Sequence, residues 1–303
     1  MAKGPLGTTL VNLEASIATP KSDAALGDFG GISSLERIEM ELLLEAIYRH
    51  YGYDFRAYAP SSLRRRLKKR LEAEGLKTFS ALQDRVLHEP TAMEGLVRDM
   101  SVNVTSMFRD PTFFLTLRQK VVPILRTYPF VRIWHAGCAT GEEVYAMAIL
   151  LEEEGLYDRT RLYATDMNAE ALDHARAGIF PLARMRDYTA AYQQAGGTRS
   201  FSDYYTASYG AALFNPRLRE NVLFAQHNLA TDGSFSEFNV ILCRNVLIYF
   251  DRALKARTLR LFGDSLAPLG FMCLGRRESL RFTPVENEFA EVDPKERVYR
   301  RVR

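Results

Sequence analysis

The sequence is short of cysteine, of tryptophan and of net charge. Its 303 residues hold three cysteines, Cys138, Cys243 and Cys273, and a single tryptophan, Trp134. An odd number of widely spaced cysteines argues against a disulfide framework and against a Cys-x-x-Cys zinc site. Each lies in an apolar, strand-like stretch, where cysteine behaves as a small hydrophobe. The expected compartment is therefore reducing, hence cytoplasmic. Lys and Arg number 40 against 37 Asp and Glu, a net charge of +3. That excess is too small for a dedicated nucleic-acid binder, so no nucleic acid is expected as partner. No run of about 18 uncharged apolar residues is present, so no membrane insertion is expected. Met1-Ala2-Lys3-Gly4-Pro5 is not followed by the apolar run of a secretory signal. The five histidines, His50, His88, His135, His174 and His227, have no metal-ligand spacing, and no metal is expected.

What is present is an ordinary globular composition, 47% apolar and 25% charged. Residues 1–32 carry five of the 19 glycines and no sustained period, and a disordered tail is expected there. Ser33 with Glu36 forms a capping-box pattern. Leu35, Ile38, Leu42 and Ala46, with Leu43 and Ile47, follow at helical spacing up to Gly52. A second helix starts near Ser61-Ser62, with Leu63, Leu67 and Leu71 on one stripe. Arg64, Arg65, Arg66, Lys68, Lys69 and Arg70 cover the rest of its surface. Two further helical stretches, 79–87 and 92–100, complete an all-helical domain over 33–100.

After Pro123 the rhythm changes to strands alternating with helices. Strands are expected at 131–136, 162–165, 222–225, 240–243 and 271–274, and helices at 142–154, 168–177 and 253–266. This alternation predicts an α/β fold with a mostly parallel, doubly wound sheet. Residues 180–221, rich in Tyr, Ser, Ala and Gly, interrupt it and are expected to form an inserted subdomain.

Three motifs lie where such a sheet ends its strands. The first is His135-Ala136-Gly137-Cys138-Ala139-Thr140-Gly141-Glu142-Glu143. Strand, glycine turn and helix give a ligand close access to the backbone. The spacing is Gly-x-x-x-Gly, not that of dinucleotide enzymes. Two glutamates at the helix start would repel a pyrophosphate and suit a cationic ligand such as S-adenosylmethionine. A plain tight turn with dipole-stabilising glutamates is the competing reading. The second motif, Ala164-Thr165-Asp166-Met167-Asn168, ends a strand with a carboxylate that can accept from two ribose hydroxyls or cap a helix. The third, Cys243-Arg244-Asn245-Val246-Leu247-Ile248-Tyr249-Phe250, sets Asn245 and Tyr249 in an apolar run. They are either ligand contacts or satisfied core groups.

Together with Asn103-Val104-Thr105-Ser106-Met107-Phe108-Arg109, these motifs resemble the CheR family, S-adenosylmethionine-dependent protein-glutamate O-methyltransferases that modify chemoreceptors. The resemblance runs from about residue 35 to the C-terminus. It implies a Rossmann-like methyltransferase domain over 121–303, preceded by a linker at 101–120 that contributes to the cofactor site. It further implies cofactor contacts from Asn103, Thr105, Arg109, Gly137, Glu142, Asp166, Asn228, Leu229, Arg244 and Asn245. Tyr249 would stand beside the transferred methyl and Arg109 would face the substrate. The product would be S-adenosylhomocysteine. The sequence departs from the family in Gly275-Arg276-Arg277-Glu278, where Gly-His-Ser-Glu is common.

The chemistry suits these residues. A glutamate with an ordinary pKa of about 4.3 is already an anion at neutral pH and needs no general base. Alignment and a dry site remain as the tasks of the enzyme. The basic run, through Arg64, Arg65, Lys68 and Lys69, is expected to dock an acidic helical region of a chemoreceptor-like protein onto a monomeric enzyme. A solvated helix face is the competing reading. No aromatic platform interleaves the run as RNA binding would require. The alternatives for the whole chain are a related methyltransferase with another acceptor, or a cofactor-binding signalling adaptor without turnover.

Overall fold

The structure, a computed structural model, describes residues 33–101 and 104–303. The expected tail 1–32 and Asn103 lie outside the described residues. Helix α1 (Ser34–Tyr51) starts at Ser33, whose hydroxyl accepts the Glu36 backbone N–H at 3.2 Å, and stops at Gly52 in the left-handed region (φ 77°). Only half of the capping box forms. The Glu36 carboxylate turns away from Ser33 and pairs with Arg64 at 3.0 Å and Lys68 at 3.4 Å. Helices α2 (Pro60–Ala73) and α4 (Pro90–Met100) begin on proline, whose missing N–H costs nothing at a helix start. Between them α3 (Phe79–His88) is capped by the Thr78 hydroxyl. Leu63, Leu67 and Leu71 are buried as their spacing predicts. In α1, Leu43 and Ile47 enter the core with Met40 and Leu44, while Leu35, Ile38 and Leu42 of the expected apolar series are exposed.

The linker expected at 101–120 is in part helical. Helix α5 (Pro111–Thr116) runs through a π-helical segment, Leu117–Val121, into α6 (Val122–Leu125). The α/β unit follows with β1 (Val131–Ala136), α7 (Glu142–Glu153), β2 (Thr160–Asp166) and α8 (Ala169–Ala177). The inserted region holds β3 (Ile179–Pro181), α9 (Met185–Gln194), β4 (Tyr205–Ser208), β5 (Ala211–Phe214) and α10 (Arg217–Glu220). Its strands form a separate antiparallel sheet in the order β3-β5-β4. The chain then returns through β6 (Val222–Gln226), β7 (Phe238–Cys243), α11 (Arg252–Ser265) and β8 (Leu266–Leu274). It ends on an antiparallel pair, β9 (Phe289–Asp293) and β10 (Val298–Arg301), that the sequence reading did not anticipate.

The main sheet has the order β6-β2-β1-β7-β8-β10-β9, parallel from β6 to β8. Its two faces follow the period-two alternation of strands. Ile133, Leu162, Leu242 and Cys273 pack with α5–α7 and the insert. Trp134, Ile241, Met272 and Leu274 pack with α11 and, in one continuous cluster, with the helical domain. The junction is tight. Tyr58 pairs with Phe250 as an isolated bridge, and the Ala59 N–H donates to the Tyr249 carbonyl at 2.8 Å. Each buried leucine or isoleucine in this seam contributes about 1.5–3 kcal/mol. All three cysteines are free and buried.

Candidate active site

At the carboxyl ends of β1 and β7 the chain leaves in opposite directions, β1 toward β2 and β7 toward β8. Such a switch point opens a crevice. Two adjoining chambers occupy it. One, of about 80 Å³, is lined by Tyr58, Asp166, Met167, His227, Asn228, Leu229 and Phe250. The other, of about 310 Å³, is lined by Thr105, Arg109, Glu143 and Arg244. Gly137, Ala139, Asn245, Val246 and Tyr249 form the wall common to both. Combined, they approach the size of a small-molecule site, roughly 300–1,000 Å³.

The turn after β1 is fixed by the end of β2. The Gly137 and Cys138 N–H groups both donate to the Thr165 carbonyl, at 2.8 and 2.9 Å. Gly137 has φ 79°, and a Cβ there would stand 2.6 Å from Val246 Cγ2. Gly141 has φ 91°, with a would-be Cβ 2.8 Å from that of Ala175. Both positions require glycine on two grounds, handedness and close approach. The Asp166 carboxylate ties the two turns, accepting the Ala139 N–H on one oxygen and the Asn168 N–H on the other, each at 2.9 Å. Burial raises its pKa above the ordinary range, against the pull of these N–H donors. A carboxylate has about four acceptor sites, so it keeps capacity for a ligand. The competing helix cap is Asn168, whose side chain accepts from Glu170 and Ala171 at the start of α8.

The two glutamates of the first motif diverge. Glu142 accepts the Thr140 hydroxyl at 2.6 Å, and burial raises its pKa, with Arg184 and Tyr188 of the insert as neighbours. It lines neither chamber. Glu143 lines the larger chamber and takes His135 Nδ1 at 3.1 Å and Arg244 Nη1 at 2.8 Å. Burial alone would raise its pKa, but the His135 hydrogen bond and the Arg244 charge hold it down at about 2.

Arg244 works as a cross-brace. It also donates to Asp110 at 2.7 Å and to the Arg109 carbonyl at 3.1 Å, and stacks 4.0 Å from the centre of the Phe113 ring. Its donors are thus directed at protein, with only Nε buried and unpaired. Asn245 sits in the left-handed region (φ 63°), held by its own N–H donating to Glu278 at 3.0 Å. Asparagine tolerates this conformation better than most residues. Glu278 also accepts from Gly275 at 2.6 Å and Ile248 at 3.3 Å, so it shapes the loop that carries Tyr249. Arg276 is taken up by Glu296 at 2.9 Å and Asp110 at 3.5 Å.

Tyr249 is half-buried at the common wall. The Arg66 guanidinium lies 4.4 Å from its ring centre. Arg66 is 5% exposed, donates Nη1 to the Met100 carbonyl and leaves Nη2 buried without a partner. Burial pushes its pKa down. Arg109 is half-buried and donates to the Val104 carbonyl at 3.2 Å. Asn228 folds onto its own loop, its side chain accepting the Ala230 N–H at 3.0 Å.

The basic face of α2 is more neutral than its sequence suggests. Arg64 and Lys68 share Glu36, and Lys69 and Arg70 share Asp99 at 2.9 and 3.1 Å. Arg65 alone of the four expected docking residues is exposed with no ion pair among the described residues. The sequence reading put Arg66 on the solvent face of α2, and the structure corrects this: position 66 falls beside Leu63 and Leu67, and the side chain is buried. The same reading assigned no site role to Glu143, taken as one of two glutamates at a helix start, to Glu278, to Tyr58, or to His227, whose Nδ1 is buried and unpaired.

Comparison with known proteins places these features in a family. Residues 38–101 match the CheR methyltransferase all-alpha domain, and residues 103–296 match the CheR methyltransferase SAM binding domain. Cher3 of Pseudomonas putida KT2440 is 50% identical over 264 residues, covering 87% of this chain and 97% of that protein. Chemotaxis protein methyltransferase 2 of Pseudomonas aeruginosa PAO1 is 31% identical over 80% of this chain and 87% of its own length. Chemotaxis protein methyltransferase 1 of the same strain is 30% identical over 76% and 85%. With both domain matches in order, behind a crevice at the switch point of a Rossmann-like sheet, the chain belongs to the CheR methyltransferase family.

Proposed function

We propose that this protein transfers the methyl group of S-adenosylmethionine to glutamate side-chain carboxylates of a chemoreceptor-like signalling protein. The products are a glutamate methyl ester and S-adenosylhomocysteine. The observation that carries the acceptor class is the pairing of Arg66 with Tyr249. Arg66 lines neither chamber and packs behind the Tyr249 ring, where its buried charge with an unfilled donor favours an anion in front of that ring; a carboxylate supplies one.

The donor set fits the cofactor. Asp166 has free acceptor capacity for ribose hydroxyls. Met167, Leu229, Val246 and Phe250 give apolar walls for the base, and the orphaned His227 Nδ1 lies in the same wall. Gly137 keeps the backbone open where a side chain would fill the space. Thr105 and Arg109 close the larger chamber, with Asn103 assigned to the same linker. Glu142 and Arg244 act as positioning residues. Glu142 does so through Thr140, and Arg244 through Glu143 and Asp110.

The bound cofactor supplies an electrophilic methyl on a sulfonium, and sulfur keeps the electron pair of the broken bond. The chain's own residues do the rest. Arg109 orients the incoming carboxylate without neutralising it fully, because an ion pair too tight in the ground state would raise the barrier, and Arg66 acts as a positioning residue through the Tyr249 ring. The half-buried Tyr249 lines the methyl path and can donate its hydroxyl to the non-attacking oxygen. The apolar walls keep water out, and charge is lost from both reactants as the bond forms. No proton moves, which accords with the absence of a histidine base from the scheme.

Incubation with methyl-labelled S-adenosylmethionine and lysate tests this reading. The expected product is a labelled protein that releases methanol in mild base. Base-stable label on lysine or arginine, or no label at all, refutes it.

A further inference from the structure

A second concave surface lies on the far side of the 245–250 loop, between the start of α11 and residues 275–284. It encloses about 480 Å³. Its rim carries Arg252 and Lys255 from the first turn of α11, and Arg277 and Arg281 from the facing loop. Among the described residues, Arg252, Lys255 and Arg277 make no ion pair, and Arg281 approaches Glu291 only to 3.9 Å. Neighbouring arginines behave otherwise: Arg276 is paired with Glu296 at 2.9 Å and Arg260 with Glu288 at 2.5 Å. Three cations without an ion pair and a fourth only weakly paired thus share one rim. Two of them stand in the first turn of α11, where the macrodipole repels positive charge; the N-cap carboxylate there, Asp251, is turned to the Leu254 N–H at 2.8 Å and makes no ion pair with either.

The floor is aliphatic, from Leu247, Leu259 and Pro284, and Phe282 at the rim is 91% exposed. Phe282 holds a left-handed backbone (φ 61°), fixed by its N–H donating to Glu286 at 2.7 Å. The fixed ring extends the apolar floor out to the rim.

We propose that this cavity docks an acidic peptide segment bearing apolar side chains, at a place separate from the cofactor crevice. Carboxylates spaced along a chain match four cations spread around a rim, and an apolar side chain of the segment would fill the floor beneath Phe282. A polyphosphate suits the cavity less well. The N–H groups of Gly275, Asn245 and Ile248 are consumed by Glu278, and that of Phe282 by Glu286. The proposal concerns a different surface from the methyl-transfer reading and stands or falls apart from it.

The test uses the full chain with Phe282→Trp, whose new indole reports on the cavity. The probe is a short peptide of repeated Glu-Glu-Leu triplets, with its Gln-Gln-Leu counterpart as control. The expected result is a saturable blue shift with the acidic peptide only. Adding Arg252→Glu and Arg277→Glu should weaken it at least about tenfold and leave S-adenosylhomocysteine affinity unchanged. Arg65→Glu, on the distant α2 face, should leave the blue shift unchanged. An absent shift, an equal response to the neutral peptide, or undiminished binding in the doubly reversed variant overturns the proposal. So does displacement by inorganic pyrophosphate beyond that of chloride at equal ionic strength, which would mark a small-anion site instead.

Discussion

The guanidinium of Arg66, on the second helix of the N-terminal domain, lies 4.4 Å from the ring centre of Tyr249, on the loop after the fourth parallel strand. The two residues are 183 positions apart and belong to separately matched domains. Their contact backs the crevice wall from the helical domain, which also lends Tyr58 and Met100 to the lining itself. Arg66→Met should therefore lower methyl transfer about a hundredfold with little change in S-adenosylhomocysteine affinity. Its thermal midpoint should hold, since replacing a desolvated, half-satisfied charge by an apolar chain is often neutral. Labelled-methyl kinetics and calorimetry on one preparation check both halves. A parallel loss of cofactor affinity would move Arg66 into the cofactor pocket.

Asp166 has the opposite expected signature. Asp166→Asn keeps the shape but replaces an acceptor by an amide donor that faces the Ala139 or Asn168 N–H. Cofactor and product affinity should both fall about ten- to hundredfold, the worth of one or two charge-assisted hydrogen bonds. Turnover at saturating cofactor should fall less. Isothermal titration with S-adenosylhomocysteine reads the first effect, and unchanged affinity would leave Asp166 with only its turn-bracing role.

Much of this was legible from sequence, and the exceptions have physical causes. The inner strands β1 and β7 announce themselves by mostly apolar runs ended by polar turns, because both sheet faces are covered there. The final pair β9 and β10 hides, since both are short, β9 is a polar edge strand, and the inner β10 has only Val298 and Tyr299 as apolar residues. Leu35, Ile38 and Leu42 obey helical spacing yet face outward, because α1 has apolar residues on more than one side and packing alone selects which is buried. Asp166, Asn245 and Tyr249 were found because strand-end polar residues in an α/β sheet cluster in space. Arg66 was missed because a basic run reads as solvent, and only position along the stripe separates the inward arginine from its neighbours. Nothing in the sequence discloses that Glu36 and Asp99 neutralise Arg64, Lys68 and Lys69, for those pairs span 28 to 32 residues.

Glu143 predicts an acid limb in the stability profile. Its carboxyl has an ordinary value of 4.5 and is held down at about 2 by His135 and Arg244 in the folded state. A depressed folded pKa adds stability that is present above the unfolded value and lost as pH falls from about 4.5 to about 2. The group is worth roughly 3 kcal/mol at most. Glu143→Gln should lower neutral-pH stability and flatten that limb. Urea melts across this range read it, and a limb of unchanged slope would contradict the assignment.

Gly137→Ala should be costly on two counts that can be separated. The added methyl meets Val246 Cγ2 at 2.6 Å, and φ 79° strains any L side chain. Overpacking costs about 1–3 kcal/mol, and left-handed backbone about 1–2 more. Adding Val246→Ala should restore the first part and not the second. Denaturation of the single and double variants measures each share, and full rescue would show that the handedness carries no penalty here.

The α2 face yields two substitutions of opposite expected sign. Arg65 is its exposed, unpaired cation, whereas Glu36 holds Arg64 and Lys68 at 3.0 and 3.4 Å. If this face steers an acidic helical substrate, Arg65→Glu should raise the apparent KM several-fold. Glu36→Gln, which frees two cations, should lower it. Exposed pairs contribute only about 0–1 kcal/mol to folding, so neither change should unfold the domain. Both effects should shrink with salt, because exposed charges are screened beyond about 8 Å at physiological ionic strength. Initial rates against a glutamate-rich receptor helix, at low and physiological salt, supply the measurement. Unchanged KM in both variants at low salt would make this face a solvated surface and leave substrate recognition to the Arg66–Tyr249 contact and the crevice around it.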